Sequence, residues 1–127
     1  MADRHSRHYS LEEATDELPW VVEQLVEMRE ARESLTDEDV REALSAGIPG
    51  NGGGGPGKHL GEAFNRLQAA IGAFQDREIV LRDLDRGLVD FPAIRDEREV
   101  YLCWVEGEDE IAYWHDLDAG FAGRQEL

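Results

Sequence analysis

The spacing of the apolar residues changes once along this chain, close to residue 77, and this change constrains the fold most. Before it, apolar residues recur at steps of three and four, the spacing of a helix face. They are Leu11, Ala14, Leu18, Val21, Leu25, Met28 and Leu35, then Leu60, Phe64, Leu67, Ile71 and Phe74. After it the pattern alternates, as in strands. The chain is therefore predicted to be α+β, with a kinked antiparallel helical hairpin packed on a small antiparallel β-sheet.

The same pattern divides the chain into segments of one domain, residues 1–127, a length that suits a single core. We predict a flexible polar tail (1–9), a helical region (10–46), a glycine-rich flexible connector (47–57), a helix (58–76) and a β-rich half (78–127). Seven of the eleven connector residues are glycine, which makes ordering costly. Ser10 with Glu13 has capping-box spacing, and Pro19 predicts a kink or short break.

Three strand signals follow in the second half. Residues 79–81 form a short one, and 100–105 form the strongest, apolar on both faces as a central strand requires. Residues 111–115 are predicted to pair back on it as a hairpin. Pro92 limits residues 88–94 to an edge strand or a loop. The tail, residues 116–127, is expected to wrap over the sheet.

A net charge of −16 excludes two classes of partner. A phosphate backbone requires Lys and Arg, so we expect no nucleic acid. Anionic membrane surfaces are disfavoured in the same way, and no apolar run is long enough to span a bilayer. Without the apolar core of a signal peptide at the start, a cytoplasmic location is expected. The single Cys103 excludes an internal disulfide and a cysteine-based zinc site, and its apolar neighbours predict a packed, inert thiol.

The connector also contains the opening of a phosphate-binding loop, in Gly52, Gly57 and Lys58. That motif next requires Ser or Thr for magnesium, where this chain has His59. It also requires a preceding buried strand, whereas a helix precedes here. The spacing arises easily in a glycine run, so the linker interpretation is preferred.

Polar residues at strand ends give a second candidate site. Loops at these positions commonly carry ligand groups. The predicted metal ligands are Asp83, Asp85, Asp90, His115 and Asp118, and the predicted substrate-binding residues are Arg86 and Arg124. One imidazole with several carboxylates suits a divalent ion such as Zn, Mn, Mg or Fe, which could activate water for hydrolysis. The competing interpretation is structural, because Asp commonly caps turns, Arg can pair with it, and a lone His among aromatics is usually a core group.

Aromatic residues crowd the predicted hairpin, at Tyr101, Trp104, Tyr113 and Trp114. Cross-strand aromatic pairs stabilise a sheet, and the same residue types concentrate at interfaces. The sequence therefore permits a homodimer through the helical seam or the aromatic sheet. A non-catalytic binding or self-associating module is the preferred function, and a metal-dependent hydrolase is the alternative.

Four segments resemble a known prokaryotic family: residues 9–14, 85–93, 100–104 and 114–124. Among them are Asp85-Arg86-Gly87 and Trp114-His115-Asp116. The chain resembles the family called domain of unknown function 2203, over nearly its whole length. The family has no established activity, although some members carry the label "metal-dependent hydrolase-related". The resemblance implies that the surroundings of Asp85, Asp90, His115 and Arg124 are where a site should be sought.

Overall fold

The described residues of the first half contain three helices, as the spacing predicted. They are α1 (Leu11–Glu33), α2 (Asp37–Ala46) and α3 (Lys58–Arg77). The structure, a computed structural model, describes residues 3–46 and 58–127. The predicted connector at 47–57, and with it the glycines of the phosphate-loop motif, lies outside the described residues. Within those residues, no helix is long and apolar enough to cross a membrane.

The start of α1 is the predicted capping box. The Ser10 side chain accepts a hydrogen bond from the Glu13 backbone, and the Glu13 carboxylate accepts one from the Ser10 backbone. The helix then continues through Pro19 without a break, while a kink there stays a prediction. Buried residues precede and follow the proline, including Ala14 and Val21, so packing holds both parts in one helix.

Helices α1 and α3 run antiparallel, and their ion pairs establish the direction. Arg77 at the end of α3 contacts Glu17 near the start of α1 at 3.0 Å. Arg66, earlier in α3, contacts Glu27, later in α1, at 2.6 Å. The predicted antiparallel packing is thus confirmed, and buried Leu25 and Leu67 belong to the shared core.

The second half forms a five-stranded antiparallel meander in the order β1-β2-β3-β4-β5. The strands are β1 (Val80–Asp83), β2 (Leu88–Arg95), β3 (Arg98–Val105), β4 (Tyr113–Asp116) and β5 (Gln125–Glu126). As predicted, β3 is central and β4 pairs back on it. The tail adds β5 to the edge of β4, after a 3₁₀ turn at Phe121–Gly123.

Strand β2 is longer and better paired than Pro92 led us to expect. It lies between β1 and β3, and Pro92 stands opposite Tyr101 in the β2–β3 register. The pairing with β1 extends only as far as Asp90. Beyond it the carbonyl of Pro92 accepts a hydrogen bond from Tyr9. A strand residue's N and O point to the same side, so the missing N–H of Pro92 faces away from β3 and interrupts no ladder bond.

Successive strand residues point to opposite faces of the sheet, and the two faces differ. One face packs on the helices through apolar side chains including Val89, Phe91, Leu102 and Trp104. The register places Asp90, Cys103, Tyr101 and His115 together on the other face, which we call the outer face. Although they are polar or carry polar atoms, all four are buried.

The segment expected to be a flexible tail is instead bound to the body of the protein. The Glu99 carboxylate accepts hydrogen bonds from the backbone N–H groups of Arg4 and His5. The Glu78 carboxylate accepts them from Ser6 and Arg7. Two acidic side chains distant in sequence therefore satisfy four consecutive backbone donors, contacts that composition alone does not reveal.

Replacing Glu99 with glutamine should lower the free energy of unfolding by about 1–3 kcal/mol near neutral pH, because charge-assisted hydrogen bonds are lost. Burial raises the pKa of Glu99, but hydrogen bonds from His8 and from the Arg4 and His5 backbone outweigh it, leaving the pKa below its ordinary value. The stability from Glu99 is thus complete above the ordinary carboxyl pKa and is lost as pH falls through the lowered one. Urea denaturation at several pH values measures this.

The matched control for that experiment is Glu23→Gln, at an exposed position on α1. It should change stability by less than about 0.5 kcal/mol. The difference between the two variants should also shrink as the solution is acidified. An equal loss from both substitutions, or a difference independent of pH, would contradict the assigned role of Glu99.

Candidate metal centre

Three potential metal ligands from three adjacent strands meet on the outer face. Asp90 of β2, Cys103 of β3 and His115 of β4 each offer a donor atom, and these atoms lie within 4.8 Å of one another. Asp90 and Cys103 are direct partners in the β2–β3 register. The three residues are 2%, 0% and 1% exposed, so the group is almost fully shielded from water.

Both ring nitrogens of His115 face oxygen atoms. Nδ1 lies 2.7 Å from the backbone oxygen of Asp116, and Nε2 lies 3.0 Å from Oδ1 of Asp90. A carbonyl oxygen only accepts, so Nδ1 carries a hydrogen and donates it. The lone pair of a neutral ring would then point from Nε2 at the Asp90 carboxyl oxygen. A proton or a metal ion is therefore required between Nε2 and Oδ1.

The second oxygen of Asp90 is bonded to Arg82. The Arg82 Nε donates to Oδ2 at 2.8 Å, and the guanidinium carbon lies 5.1 Å from the centre of the Tyr101 ring. That ring lies 5.5 Å from His115, and its hydroxyl is 2.6 Å from Nε2 of His5. Arg82 and His5 thus connect the buried group to the protein surface.

Cys103 is held as a neutral thiol in this arrangement. Burial, followed by the nearby Asp90 carboxylate, raises the pKa of the thiol to about 12. Arg124 acts in the opposite direction but more weakly than burial and Asp90. Without a metal ion the thiol carries its proton at neutral pH, since only a strong Lewis acid removes it from such surroundings.

Cys103 should consequently react very slowly with thiol reagents while the protein is folded. With Ellman's reagent at pH 8 we expect less than about a tenth of one thiol to be modified in the time a free thiol reacts fully, because the thiolate is the nucleophile. In urea the same protein should release one equivalent, as the chain has a single cysteine. Rapid stoichiometric modification of the folded protein would contradict both the burial and the raised pKa.

The other predicted metal ligands lie elsewhere and have their own partners. Asp83 accepts a hydrogen bond from the backbone of Arg86 within the β1–β2 turn. Asp85 contacts Arg32 at 2.7 Å, and Asp118 contacts Arg4 at 3.0 Å. The structure therefore brings together Asp90 and His115 of the five predicted ligands. The structural interpretation, turn caps and ion pairs, describes the other three.

The two predicted substrate-binding arginines lie around the ring of Phe121. The guanidinium carbon of Arg86 is 4.6 Å from the ring centre, and that of Arg124 is 4.8 Å from it. Arg124 also contacts both oxygens of Glu108 at 2.8 Å and lies 3.5 Å from the backbone oxygen of Cys103. Its Nε is buried without a hydrogen-bond partner among the residues described. Arg124 is thus next to the three-ligand group and retains one unused donor.

The surfaces considered for self-association are largely used inside the chain. Of the helical seam, Val21 and Leu25 are buried, and Trp104 and Trp114 of the aromatic sheet belong to the core. The outward part of α1 retains the partly exposed Val22 and Val26. A homodimer stays a prediction, and these two valines are among the exposed apolar residues that it could use.

From the sequence, Cys103 was predicted to be inert and outside any zinc site, Tyr101 was named only as one of the hairpin aromatics, and Arg82 was given no role. The position of Tyr101 beside His115 depends on the β3–β4 register, in which the two residues are opposed, whereas Arg82 is connected to His115 through Asp90. The alternation of side chains does place Tyr101 and Cys103 on one face of a strand. That alternation does not predict which residue of β4 lies opposite a given residue of β3.

The fold and these residues define an α+β protein with a buried group of carboxylate, imidazole and thiol. The family model described as "Uncharacterized conserved protein (DUF2203)" matches residues 7–127. The chain therefore belongs to this family, as the resemblance indicated. No curated protein and no solved structure gives a significant match.

Proposed function

We propose that this chain is a metal-binding protein that holds one divalent transition-metal ion between Asp90, Cys103 and His115. The observation that carries the proposal is the hydrogen bond from Nδ1 of His115 to the Asp116 carbonyl, which directs the lone pair of Nε2 toward the Asp90 oxygen 3.0 Å away. Histidines that bind metals nearly always donate their other ring nitrogen in this way.

Zn²⁺ suits this set of donors best. It accepts imidazole, thiolate and carboxylate ligands, with bonds of about 2.0–2.3 Å, so ligand atoms around one ion are about 3.3–3.8 Å apart. The three donor atoms lie within 4.8 Å of one another, so small side-chain rotations are sufficient. The magnesium and calcium ions are less suitable, since they prefer oxygen ligands only.

Access to the group requires Arg82 to move. Its Nε is bonded to Asp90, whereas its side chain is 41% exposed, so the guanidinium can turn outward without unfolding the sheet. A bound cation would repel the guanidinium and favour the outward position. Binding must also release the protons of the group, so affinity should rise with pH.

Cobalt titration tests the proposal, because Co²⁺ bound to a thiolate absorbs in the near ultraviolet and Zn²⁺ can then displace it. We expect one equivalent of Co²⁺ to produce this absorption, and Cys103→Ser to abolish it and weaken Zn²⁺ binding at least tenfold. Arg82→Gln should tighten binding. The matched control is His8→Gln, since His8 lies in a second group of His and acidic residues with Glu99. If the wild type gives no sulfur absorption, or the control behaves like Cys103→Ser, the proposal fails.

Hydrolysis is the activity that such an ion would support. Asp90, Cys103 and His115 would hold the ion, which would leave one coordination position for water and would lower the pKa of that water. The guanidinium groups of Arg124 and Arg86 lie around the same ring, that of Phe121, and guanidinium groups suit an anionic substrate. Zn²⁺-dependent turnover of p-nitrophenyl phosphate, lost in Cys103→Ser, would support this class. If turnover is no faster than with free Zn²⁺, the protein binds the metal but is not a hydrolase for this substrate.

A further inference from the structure

A pocket of about 410 Å³ lies beside β1, and none of the three metal-ligand candidates lines it. Its apolar walls come from three elements: Leu44 of α2, Ile71 and Phe74 of α3, and Val80 and Leu81 of β1. Leu44 is 56% exposed, the highest value among the large apolar side chains whose burial the structure describes. Pockets that bind small molecules have this size and this largely apolar lining.

The polar lining of the pocket includes one acidic group, Glu78. The backbone N–H of Ser6 is the main cause of its lowered pKa, so the group is an anion at neutral pH. Its side chain is 28% exposed, and a carboxylate accepts about four hydrogen bonds. The Ser6 and Arg7 backbones supply two of them. The oxygens of Glu78 can therefore receive a further donor from within the pocket.

His5 also lines the pocket, but both of its ring nitrogens already face partners. It therefore offers no free donor that an anionic ligand could use. Its Nε2 is bonded to the Tyr101 hydroxyl at 2.6 Å, and its Nδ1 lies 3.4 Å from Glu78 itself. The whole chain adds a net charge of −16, which attracts cations and repels anions over longer distances. The pocket therefore favours ligands that are apolar at one end and positively charged at the other.

We propose that this pocket binds a small amphiphilic cation, an amine with an apolar chain or ring. The apolar part lies against Leu44, Phe74 and Val80, and the ammonium group donates to Glu78. Fatty acids and other anionic amphiphiles are excluded by the same carboxylate. The proposal does not depend on the metal site, because none of the three metal-ligand candidates lines the pocket.

Three eight-carbon ligands with different head groups test the charge preference: octylamine, octanol and octanoate, each titrated below its micelle concentration or solubility limit and followed by NMR of the full chain. We expect octylamine to bind at least tenfold more tightly than octanol, and octanoate not to bind. Hexylamine should bind about fifteenfold more weakly than octylamine, at about fourfold for each methylene. Equal affinity for octanoate and octylamine, or no saturable binding of the amine, would overturn the proposal.

Substitutions then locate the site. Leu44→Gln should weaken octylamine and octanol alike at least fivefold, and because Leu44 is exposed the fold is unaffected. Leu11→Gln is the matched control, since Leu11 is similarly exposed, at 47%, and does not line the pocket. Glu78→Gln should reduce the preference for octylamine over octanol to less than threefold. Cys103→Ser should bind octylamine as the wild type does. If Leu11→Gln weakens binding as much as Leu44→Gln, the ligand is elsewhere and the proposal is wrong.

Discussion

Replacement of Asp90 by alanine is expected to lower the free energy of unfolding by about 3–5 kcal/mol, because a buried carboxylate loses its hydrogen bonds to two partners at once. The carboxylate is 2% exposed and bonds both His115 and Arg82. Without it Nε2 of His115 remains buried with no partner, while Arg82 can reach water. Urea denaturation of the metal-free protein measures the loss.

Two further variants separate this interaction from a general effect of losing an acidic residue. Asp118→Ala removes a carboxylate that is 87% exposed and paired with Arg4, so stability should change by less than about 0.5 kcal/mol. The double variant Asp90→Leu with His115→Leu should lose less than Asp90→Ala alone, because apolar replacement of both partners is often nearly neutral. A loss below about 1 kcal/mol for Asp90→Ala would show that the pair is not coupled.

The fold class was predictable because each half of the chain follows one period. The helical stripes and the alternating strands each allow one way of burying the apolar side chains, so the order of elements follows from the sequence. The spacing of apolar residues gave no prediction for segments that contain few of them. Residues 4–7 are polar and resemble a free tail, yet Glu78 and Glu99 bind their backbone. Such contacts join residues far apart in sequence and leave no local pattern.

The candidate site was predictable in part for a similar reason. Asp90 and His115 were identified by residue type and by their strands, and the structure brings them to 3.0 Å. Asp83, Asp85 and Asp118 are of the same type, but Asp83 ends β1 and the other two lie in turns, where an acidic side chain caps the backbone or pairs with an arginine. The contribution of Cys103 depends on its pairing with Asp90, and a shift of one residue would point it at the helices.

The outer face differs from the usual second face of an antiparallel sheet, which is polar and wet. Here segments near both ends of the described chain cover it: His5 contacts Tyr101, while Arg124 contacts the Cys103 carbonyl and the rings of Tyr113 and Phe121. Shielding strengthens every electrostatic interaction between the groups beneath. The buried Asp90 has no water to bond instead, so β2 must hold it within reach of both His115 and Arg82.

Gly87, three residues before Asp90, sets the entry of the chain into β2. Its φ of +68° lies in the left-handed region, and a Cβ at this position would lie 2.5 Å from the Cβ of Glu106. Its carbonyl accepts a hydrogen bond from the Glu106 backbone, which joins the turns at this end of the sheet. The side chain of Glu106 pairs with Arg29 of α1 at 2.8 Å, so it is not free to move aside.

Gly87→Ala should therefore lower the free energy of unfolding by about 2–5 kcal/mol, through backbone strain of about 1–2 kcal/mol and steric overlap of about 1–3 kcal/mol. Gly107→Ala is the matched control: its φ is +105°, but a Cβ there meets nothing within 4 Å. The control bears strain without overlap, so its loss should be smaller by about 1–3 kcal/mol. Equal losses in urea denaturation would mean that the turns at this end of the sheet separate easily. The position of Asp90 would then depend on its own hydrogen bonds alone.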